Sequence, residues 1–363
     1  MDEVRNDSDN GLSPKPRRPL TVACIGAGDI VRATHLPVLK AMTEVEIAWV
    51  ADVNQSRARE LAKVYDVPFS PMPKDLSRLP LADVYLMACP FGVRDPYYVA
   101  FRERSVSLYV EKPFARTSKR HAELCSWFPD FALASGLMMR CWGANIMVRN
   151  ILQQQLFGQL RAIRFGFGKP GIVTQGNYYF EPKRGGAGMI SEVGIHGIDA
   201  ALFVTRATQA TITSAHTVLE GDLDLHTEAQ FRARTADDQE FDLGFTISSL
   251  QPTIEGLEID CEYATLTYPL PGQGYALIGE KVNMNVAVQP KDGGTTYTIG
   301  PEYIPLHPAT KFQMFHEYWK RFLGGVATRT ANWTSAAQAQ LTTDVIEQCY
   351  QFYESYVGSG RID

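Results

Sequence analysis

The chain has 363 residues, a formal net charge of −5 at pH 7 and 21% charged residues. This length favours two domains, and the acidic balance supplies no general attraction to nucleic acid or to anionic lipid. The sequence has no run of about 20 apolar residues that could span a bilayer, and residues 1–19 lack the apolar core of a signal peptide. We expect a cytoplasmic, globular protein with neither a nucleic-acid nor a membrane partner.

The six cysteines are scattered along the chain without CxxC spacing. Such scattering favours reduced, mostly buried thiols over a disulfide framework or a zinc site. We therefore expect no bound metal.

The N-terminal part of the chain changes character at Leu20. Residues 1–19 carry almost no large apolar side chain and predict a disordered tail. Over residues 20–141, short apolar runs alternate with helical patterns, which predicts βαβ units and a doubly wound parallel sheet. The predicted strands are LTVACIG, VEIAWVA, ADVYLMA, VSLYVE and FALASG, and the predicted helices are 29–42, 55–64, 95–104 and 117–128.

Residues 142–363 predict an α+β domain for substrate binding and oligomerisation. Its longer runs alternate with period 2, which predicts a large, open, mainly antiparallel sheet. We expect its apolar face to exceed what one helix covers, and therefore a homodimer or homotetramer. The predicted strands are RAIRFGFG, ATITSAHTVL, HTEAQFRAR, EFDLGFTIS, LEIDCEYATLTYP and KVNMNVAVQ, and the predicted helices are 191–204, 311–323 and 335–356.

The first predicted strand ends in a glycine turn that leads directly into a helix. Glycines here allow a tight turn, and the free N–H groups of the helix start can bind a pyrophosphate, as in the Rossmann fold. Val31 replaces the third glycine of GxGxxG, so the motif alone also fits an ordinary βα turn. The candidate cofactor-binding residues of this turn are Gly26, Ala27, Gly28, Asp29 and Ile30.

The second predicted strand ends in Asp52, followed by Val53. A carboxylate at this position can accept hydrogen bonds from both hydroxyls of the adenosine ribose, and it repels the 2′-phosphate of NADP. We therefore predict NAD as the cofactor, with Asp52 and Val53 at the ribose. NADP is the alternative because Arg57 and Arg59 follow on the next helix, and Asp52 could instead cap that helix.

Four motifs in order, GAGDIVRATHLPVL, ADVNQSRARELA, VSLYVEKPFA and GGAGMISEVGIHGIDAALF, run through the chain. Together they resemble the glucose-fructose oxidoreductase, inositol dehydrogenase and rhizopine catabolism (Gfo/Idh/MocA) family. The resemblance extends from about Leu20 to the C-terminal helix. It implies a Rossmann domain joined to an α+β domain whose sheet commonly forms an oligomer interface. It also implies oxidation or reduction of sugars, cyclitols or related carbonyl compounds.

Lys112 lies at the carboxyl end of a predicted parallel strand, where open α/β sheets bind ligands. An ammonium there can stabilise negative charge on a substrate oxygen, although a solvated lysine is the alternative from the residues alone. Glu192, His196 and Asp199 have helical spacing, and a histidine can exchange an alcohol proton at neutral pH. The resemblance implies catalytic roles for Lys112, His196 and Glu192, and a cofactor contact for Glu111.

Relatives in this family usually have Asp where Glu192 stands, so its substrate contact or its orientation of His196 is expected to differ. Asp199 could pair internally, and we leave it out of the catalytic set. The resemblance also places Arg140 near the nicotinamide, with a salt-bridged structural arginine as the alternative. It places Cys89, Pro90 and Phe91 beside the cofactor.

The loop 174–188 is rich in glycine, aromatic residues and cations and precedes the predicted catalytic helix. Such loops often recognise polyhydroxylated or charged ligands, although a solvated surface loop is the alternative. The candidate substrate residues are Asn177, Tyr178, Tyr179 and Arg184.

These features predict an NAD-dependent oxidoreductase that interconverts a secondary alcohol and a ketone on a sugar, cyclitol or sugar nucleotide. In that reaction His196 exchanges the hydroxyl proton and Lys112 polarises the oxygen. Two alternatives share the fold: a glycosidase-like enzyme that regenerates NAD without net redox change, and a non-catalytic dinucleotide sensor.

Overall fold

Two β-sheets, one in each half of the chain, organise the fold. The computed structural model describes residues 18–173, 188–271, 284–300 and 310–358, so most of the predicted tail lies outside the described residues. At the start of the described chain, Arg18 makes an ion pair with Asp83, with 2.7 Å between Nη1 and Oδ2. None of the helices in the described ranges is long and apolar enough to cross a membrane.

The first sheet has five parallel strands in the order β2-β1-β3-β4-β5. Helices alternate with these strands along the chain, which confirms the predicted doubly wound domain. Apolar side chains fill both faces of the sheet, as buried parallel strands require. The strands are β1 (Leu20–Ile25), β2 (Val45–Ala51), β3 (Val84–Met87), β4 (Ser107–Val110) and β5 (Leu133–Ser135), and the helices are α1 (Leu36–Lys40), α2 (Gln55–Tyr65), α3 (Asp95–Arg102) and α4 (Ser118–Ser126).

The second sheet has eight strands in the order β13-β12-β11-β10-β6-β9-β8-β7. Only the β6–β9 pair is parallel among the described strands, so the sheet is mainly antiparallel, as predicted. The strands are β6 (Leu160–Gly168), β7 (Ala207–Glu220), β8 (Leu223–Thr235), β9 (Glu240–Ser248), β10 (Gly256–Cys261), β11 (Ala264–Tyr268), β12 (Val286–Pro290) and β13 (Tyr297–Ile299), and the helices of this half are α5 (Gly143–Gln153), α6 (Ile195–Thr205), α7 (Lys311–Thr328) and α8 (Gln340–Gly358).

The segment LEIDCEYATLTYP, predicted as one strand, is a hairpin. β10 and β11 pair antiparallel with Asp260 opposite Thr265, and the chain reverses between them. Both arms keep the alternation of buried and half-buried residues, so periodicity alone did not reveal the turn.

The apolar face of the second sheet is covered by helices. Phe165 of β6 and Ile247 of β9 lie directly against α6. The opposite face carries ion pairs between neighbouring strands: Arg164 Nη1 lies 3.0 Å from Glu258 Oε1, and Arg232 Nη1 lies 2.8 Å from Asp242 Oδ1. In the described residues the apolar face is covered by more than one helix, α6 and α8, so it exceeds what one helix covers, as expected. The oligomer that we expected from it stays a prediction.

Helix α7 joins the two halves of the molecule. Thr310 caps it in a capping box with Gln313. Although the predicted boundary assigns α7 to the second domain, the Trp319 ring stacks on Tyr109 of β4, with ring centroids 4.3 Å apart. The C-terminal half of the chain therefore packs against the first sheet.

Candidate active site

The turn after β1 has the geometry of a phosphate-binding loop. Gly26 has φ +106°, and a Cβ there would lie 2.8 Å from the carbonyl oxygen of Ala88, so no other residue fits without strain. A Cβ at Gly28 would meet nothing within 4 Å. The backbone at Gly28 thus faces open space, which a pyrophosphate could occupy.

The helix after this turn begins with a π-helical turn over Val31–His35 before α1. Val31, which replaces the third glycine, is fully buried. A π turn is wider than an α turn and is frequent at functional sites. This segment brings the buried side chain of His35 to the carboxyl edge of the sheet, where it meets Glu111.

Asp52 links the end of β2 to the glycine turn. Its Oδ2 accepts the N–H of Ala27 at 2.7 Å, and its Oδ1 accepts the N–H of Asn54 at 2.7 Å. Asn54, not Asp52, caps α2, so Asp52 is not the helix cap that the sequence left as an alternative. Val53 is 83% exposed beside it. A ribose could therefore reach this strand end.

The other candidate cofactor residues lie in the glycine turn and at the end of β3, and most of them are partly or fully exposed to solvent. Asp29 lies on the surface, where its Oδ1 is 3.1 Å from Arg32 Nη2, and Ile30 is half-buried. Cys89 is buried, whereas Pro90 and Phe91 are half-buried at the same edge of the sheet. The described residues fit a dinucleotide laid across this edge.

Arg94 ties the ends of β3 and β4 together. Its Nε donates to the carbonyl of Cys89 at 3.0 Å, and its Nη1 donates to the carbonyls of Glu111 and Pro113. The guanidinium is 4% exposed, so these bonds hold both loops that the sequence assigned to the cofactor. Sequence reasoning missed Arg94, because a lone arginine before a helix carries no recognisable signal.

Lys112 meets the second domain at Glu192. Its Nζ donates to the carbonyl oxygen of Glu192 at 2.7 Å and lies 3.0 Å from the carboxylate Oε2. The two side chains are 16% and 9% exposed. Glu192 therefore contacts the predicted catalytic residue Lys112, and the substrate contact or the orientation of His196 expected for Glu192 stays a prediction.

The segment that carries Glu192 starts with a second π-helical turn, Ile190–Gly194, which continues into α6. The buried carboxylate of Asp224 in β8 accepts the N–H of Ile190 at 2.8 Å and the hydroxyl proton of Tyr350 at 2.7 Å. Burial raises the pKa of Asp224 to about 6, against the opposing effect of these hydrogen bonds. Asp224 thus fixes the start of the helical segment that carries Glu192. The alternating sequence pattern of β8 did not predict this role.

His196 lies in α6, close to the second sheet. The absence of a side chain at Gly197 lets α6 approach β6 closely, because a Cβ there would fall 2.1 Å from Phe165 Cζ. The His196 ring is 6% exposed, and Nδ1 is buried without a hydrogen-bond partner among the described residues. Burial and the charge of Lys112 lower the pKa of His196 to about 3, although Glu111 opposes the shift. The imidazole is therefore neutral near pH 7.

Glu111 faces the protein interior. Its Oε1 lies 2.8 Å from His35 Nε2, and His35 Nδ1 accepts the indole N–H of Trp319 at 3.0 Å. Burial raises the pKa of Glu111, but the His35 hydrogen bond and nearby positive charge such as Lys112 outweigh burial and leave the pKa below its usual value. The predicted cofactor contact is thus a buried carboxylate with a protein partner.

Arg140 has the structural role that the sequence left as its alternative. Its Nη2 lies 2.6 Å from Asp199 Oδ1 and its Nε 2.8 Å from Oδ2, and both residues are buried. Further bonds run to the carbonyls of Trp333 and Gln338, and Thr342 donates to Asp199. This buried ion pair supports the structural alternative, and the contact of Arg140 with the nicotinamide stays a prediction.

The four candidate substrate residues, Asn177, Tyr178, Tyr179 and Arg184, lie outside the described residues. Of the predicted catalytic residues, Lys112 and Glu192 touch, and His196 lies one turn further along the same helical segment.

Both halves of the chain match known sequence families. Residues 20–128 match an oxidoreductase family with an NAD-binding Rossmann fold, and residues 146–267 match the Gfo/Idh/MocA C-terminal domain. A stretch of 208 residues is 26% identical to D-glucoside 3-dehydrogenase of Escherichia coli (strain K12), covering 54% of this chain and 57% of that protein. The chain thus matches just over half the length of that relative.

Solved structures share the fold over nearly the whole chain. KijD10, a 3-ketoreductase from Actinomadura kijaniata in complex with NADP and TDP-benzene, has a TM-score of 0.73 at 16% identity, covering 92% of this chain and 98% of that chain. A levoglucosan dehydrogenase in complex with NADH and levoglucosan has a TM-score of 0.75 at 16% identity, covering 93% and 98%. At this identity the likeness establishes the fold alone.

The two family matches follow each other in the order that the sequence motifs predicted. The first covers β1–β4 of the Rossmann sheet, and the second covers β6–β10 and most of β11 of the second sheet. The first match includes the glycine turn, Asp52 and Lys112, and the second includes Glu192 and His196. The chain belongs to the Gfo/Idh/MocA family of oxidoreductases, with an NAD(P)-binding Rossmann domain.

Proposed function

We propose that this protein is an NAD(H)-dependent oxidoreductase that interconverts a secondary alcohol and a ketone on a sugar, cyclitol or sugar-nucleotide substrate. The observation that carries the proposal is the contact between Lys112, at the end of β4, and the helical segment of Glu192 and His196. Lys112, at the carboxyl edge of the Rossmann sheet, thus touches the helical segment that carries His196, and this edge is where such sheets bind ligands.

A bound nicotinamide would supply the acceptor for the hydride that leaves the alcohol carbon, so the alcohol would be oxidised to a ketone and the cofactor reduced. His196, whose imidazole is neutral near pH 7, takes the hydroxyl proton, and the Glu111 charge raises the pKa of His196 in favour of that transfer. Lys112 donates a hydrogen bond to the same oxygen and stabilises its developing negative charge. Glu192 holds the Lys112 ammonium in place.

NAD is the proposed cofactor because the Asp52 carboxylate lies at the end of β2, bonded to the glycine turn. A 2′-phosphate in this position would meet that negative charge. Arg59 supports the same choice, since its guanidinium stacks 4.8 Å from the Phe69 ring centroid. Relatives with NADP or NADH bound show that the fold accepts both cofactors.

A sugar-like substrate is supported by the names of the relatives, which act on a D-glucoside, on levoglucosan, or as a 3-ketoreductase with a TDP compound bound. The loop with Asn177, Tyr178, Tyr179 and Arg184 precedes the catalytic helix in sequence, and we propose it as the substrate-recognition segment.

The direct test is NADH formation from NAD by the purified protein with a panel of glucosides, free sugars and sugar nucleotides. We expect net NADH release with at least one of them, and its loss in Lys112→Met but not in Lys119→Met, which removes an exposed charge on α4. Product without net NADH would support the glycosidase-like alternative. Dinucleotide binding without turnover on any compound would contradict an enzyme.

We also propose that a second copy packs on the polar face of the second sheet, giving a homodimer or homotetramer. Arg232 and Arg234 alternate there with Glu240 and Asp242 on the neighbouring strand. A patch with both charges can pair with itself across a two-fold axis. Light scattering at micromolar concentration should show an oligomer, which Arg232→Glu weakens; a monomer would contradict the proposal.

A further inference from the structure

A buried hydrogen-bonded chain joins α7 to the catalytic lysine motif. Trp319 Nε1 donates to His35 Nδ1 at 3.0 Å, and His35 Nε2 lies 2.8 Å from Glu111 Oε1. Because an indole N–H can only donate, Nδ1 must accept, and the proton of a neutral His35 resides on Nε2. His35 therefore donates to the Glu111 carboxylate.

The surroundings hold this carboxylate in one place. The His35 and Trp319 rings are fully buried, and Glu111 is 9% exposed. A Cβ at Gly136, after β5, would lie 3.1 Å from Glu111 Cδ, so the backbone closes in on the other side. The carboxylate has little freedom to move away from Lys112, its neighbour in the chain.

Four titratable side chains, each on a different segment of the chain, face Glu111. Lys112 lies on its own strand end, His196 on α6, Lys311 at the start of α7, and His35 on the first helix. Glu111 raises the pKa of His196 against burial, Lys112 and Lys311. It is thus placed to favour the protonated form of His196.

We infer that Glu111 is a positioning residue for the proposed reaction, and that the chain Trp319–His35–Glu111 fixes its negative charge beside Lys112 and His196. The inference rests on the proposed function. In alcohol oxidation the hydroxyl proton moves to His196, so a new positive charge forms beside the Lys112 ammonium. A fixed carboxylate offsets that charge without any reorganisation at the moment of transfer.

The test compares three single variants. Glu111→Gln removes the charge and keeps the size, and Trp319→Phe removes the donor to His35 and keeps an aromatic ring. Trp142→Phe is the matched control, because Trp142 is also fully buried and its indole N–H has no partner among the described residues. Unfolding midpoints show whether each variant folds.

Histidine ¹⁵N NMR on the full chain supplies a readout that does not need turnover. We expect Trp319→Phe to change the signals of His35, identified by their loss in His35→Gln, because Nδ1 loses its donor. Trp142→Phe should leave them unchanged. Equal spectra for wild type and Trp319→Phe would overturn the hydrogen-bonded chain, whether or not the protein is an oxidoreductase.

Steady-state kinetics, with whichever compound of the panel the wild-type protein turns over, test the positioning role. We expect Glu111→Gln to lower kcat by about 10- to 100-fold, by analogy with the loss found when a hydrogen-bond partner of a metal ligand is removed, with KM for NAD nearly unchanged. Glu111→Asp should recover part of the loss, and Trp319→Phe should lower kcat more than Trp142→Phe does. If the wild type is active and Glu111→Gln loses no more than Trp142→Phe, the positioning role is wrong while the proposed function stands.

Discussion

Lys112 and Glu192 form an ion pair that spans the two domains, with 3.0 Å between Nζ and Oε2. Lys112 follows the fourth strand of the Rossmann sheet, and Glu192 lies in the π-helical turn before α6. Because the lysine also donates to the Glu192 carbonyl at 2.7 Å, its ammonium is held by both the main chain and the side chain of one residue.

We expect Glu192→Gln to lower turnover, since Lys112 loses its charged partner but keeps the carbonyl bond. The loss should fall mainly on kcat, with cofactor affinity retained. Steady-state kinetics compare this variant with Glu228→Gln, an exposed carboxylate of β8. Equal turnover in the two variants would show that the ion pair does not orient Lys112.

Asp52→Ala should narrow the preference for NADH over NADPH. The change removes the acceptor for the ribose hydroxyls and the repulsion of the 2′-phosphate. It also frees the N–H of Ala27, which Asp52 bonds at 2.7 Å. Fluorescence titration of both cofactors measures the ratio, with Glu60→Ala on α2 as the control. Tighter binding of NADPH than of NADH by the unmodified protein would contradict the assignment.

Substitutions of Arg140 and Asp199, which form a buried ion pair, should have non-additive effects on the free energy of unfolding. Arg140→Met leaves the Asp199 charge buried with Thr342 as its one remaining hydrogen-bond partner among the described residues, which we expect to lower the free energy of unfolding by about 3–5 kcal/mol. The double variant Arg140→Met/Asp199→Asn should cost less than the sum of the single changes. Denaturant unfolding measures all three variants, and strict additivity would show that the two groups are not coupled.

Two buried histidines make the protein sensitive to acid. Burial lowers the pKa of His121 to about 4 and that of His196 to about 3, from 6.5. The unfolded chain therefore binds more protons between these values, and stability falls as the pH drops below about 6.5, by up to about 1.4 kcal/mol per pH unit for each group.

Denaturant unfolding at about pH 7 and about pH 5 tests this slope. His121→Gln should flatten it, whereas His316→Gln on α7 should not. Asp224, whose pKa burial raises to about 6, acts in the opposite sense, because its stabilisation is present at low pH and is lost as the pH rises through that value. A His121→Gln variant with the wild-type slope would contradict the account.

Local patterns predicted those parts of the fold that depend on neighbours in sequence. The five strands of the first sheet appear as apolar runs, the first four each followed by a helical pattern, and the long strands β7, β8 and β9 appear as alternation. The hairpin of β10 and β11 escaped notice because its turn residues, Glu262 and Tyr263, interrupt neither polarity nor β propensity.

The strand-end positions of Asp52 and Lys112 could be predicted, because each is a charged residue just after an apolar run. The site was not predictable where distant residues meet in the interior. His35 and Trp319 are 284 residues apart, and Arg140 meets Asp199 across 59 residues. Such contacts depend on how α7 and α6 pack, which no single stretch of sequence encodes.

The most direct measurement of the central claim is turnover and NADH affinity of His196→Ala with the substrate found for the wild type. The account predicts a loss of turnover of about 10²- to 10⁴-fold, as expected for removal of a general acid–base group, with the dissociation constant for NADH nearly unchanged. Near-normal turnover in His196→Ala would contradict proton exchange by His196.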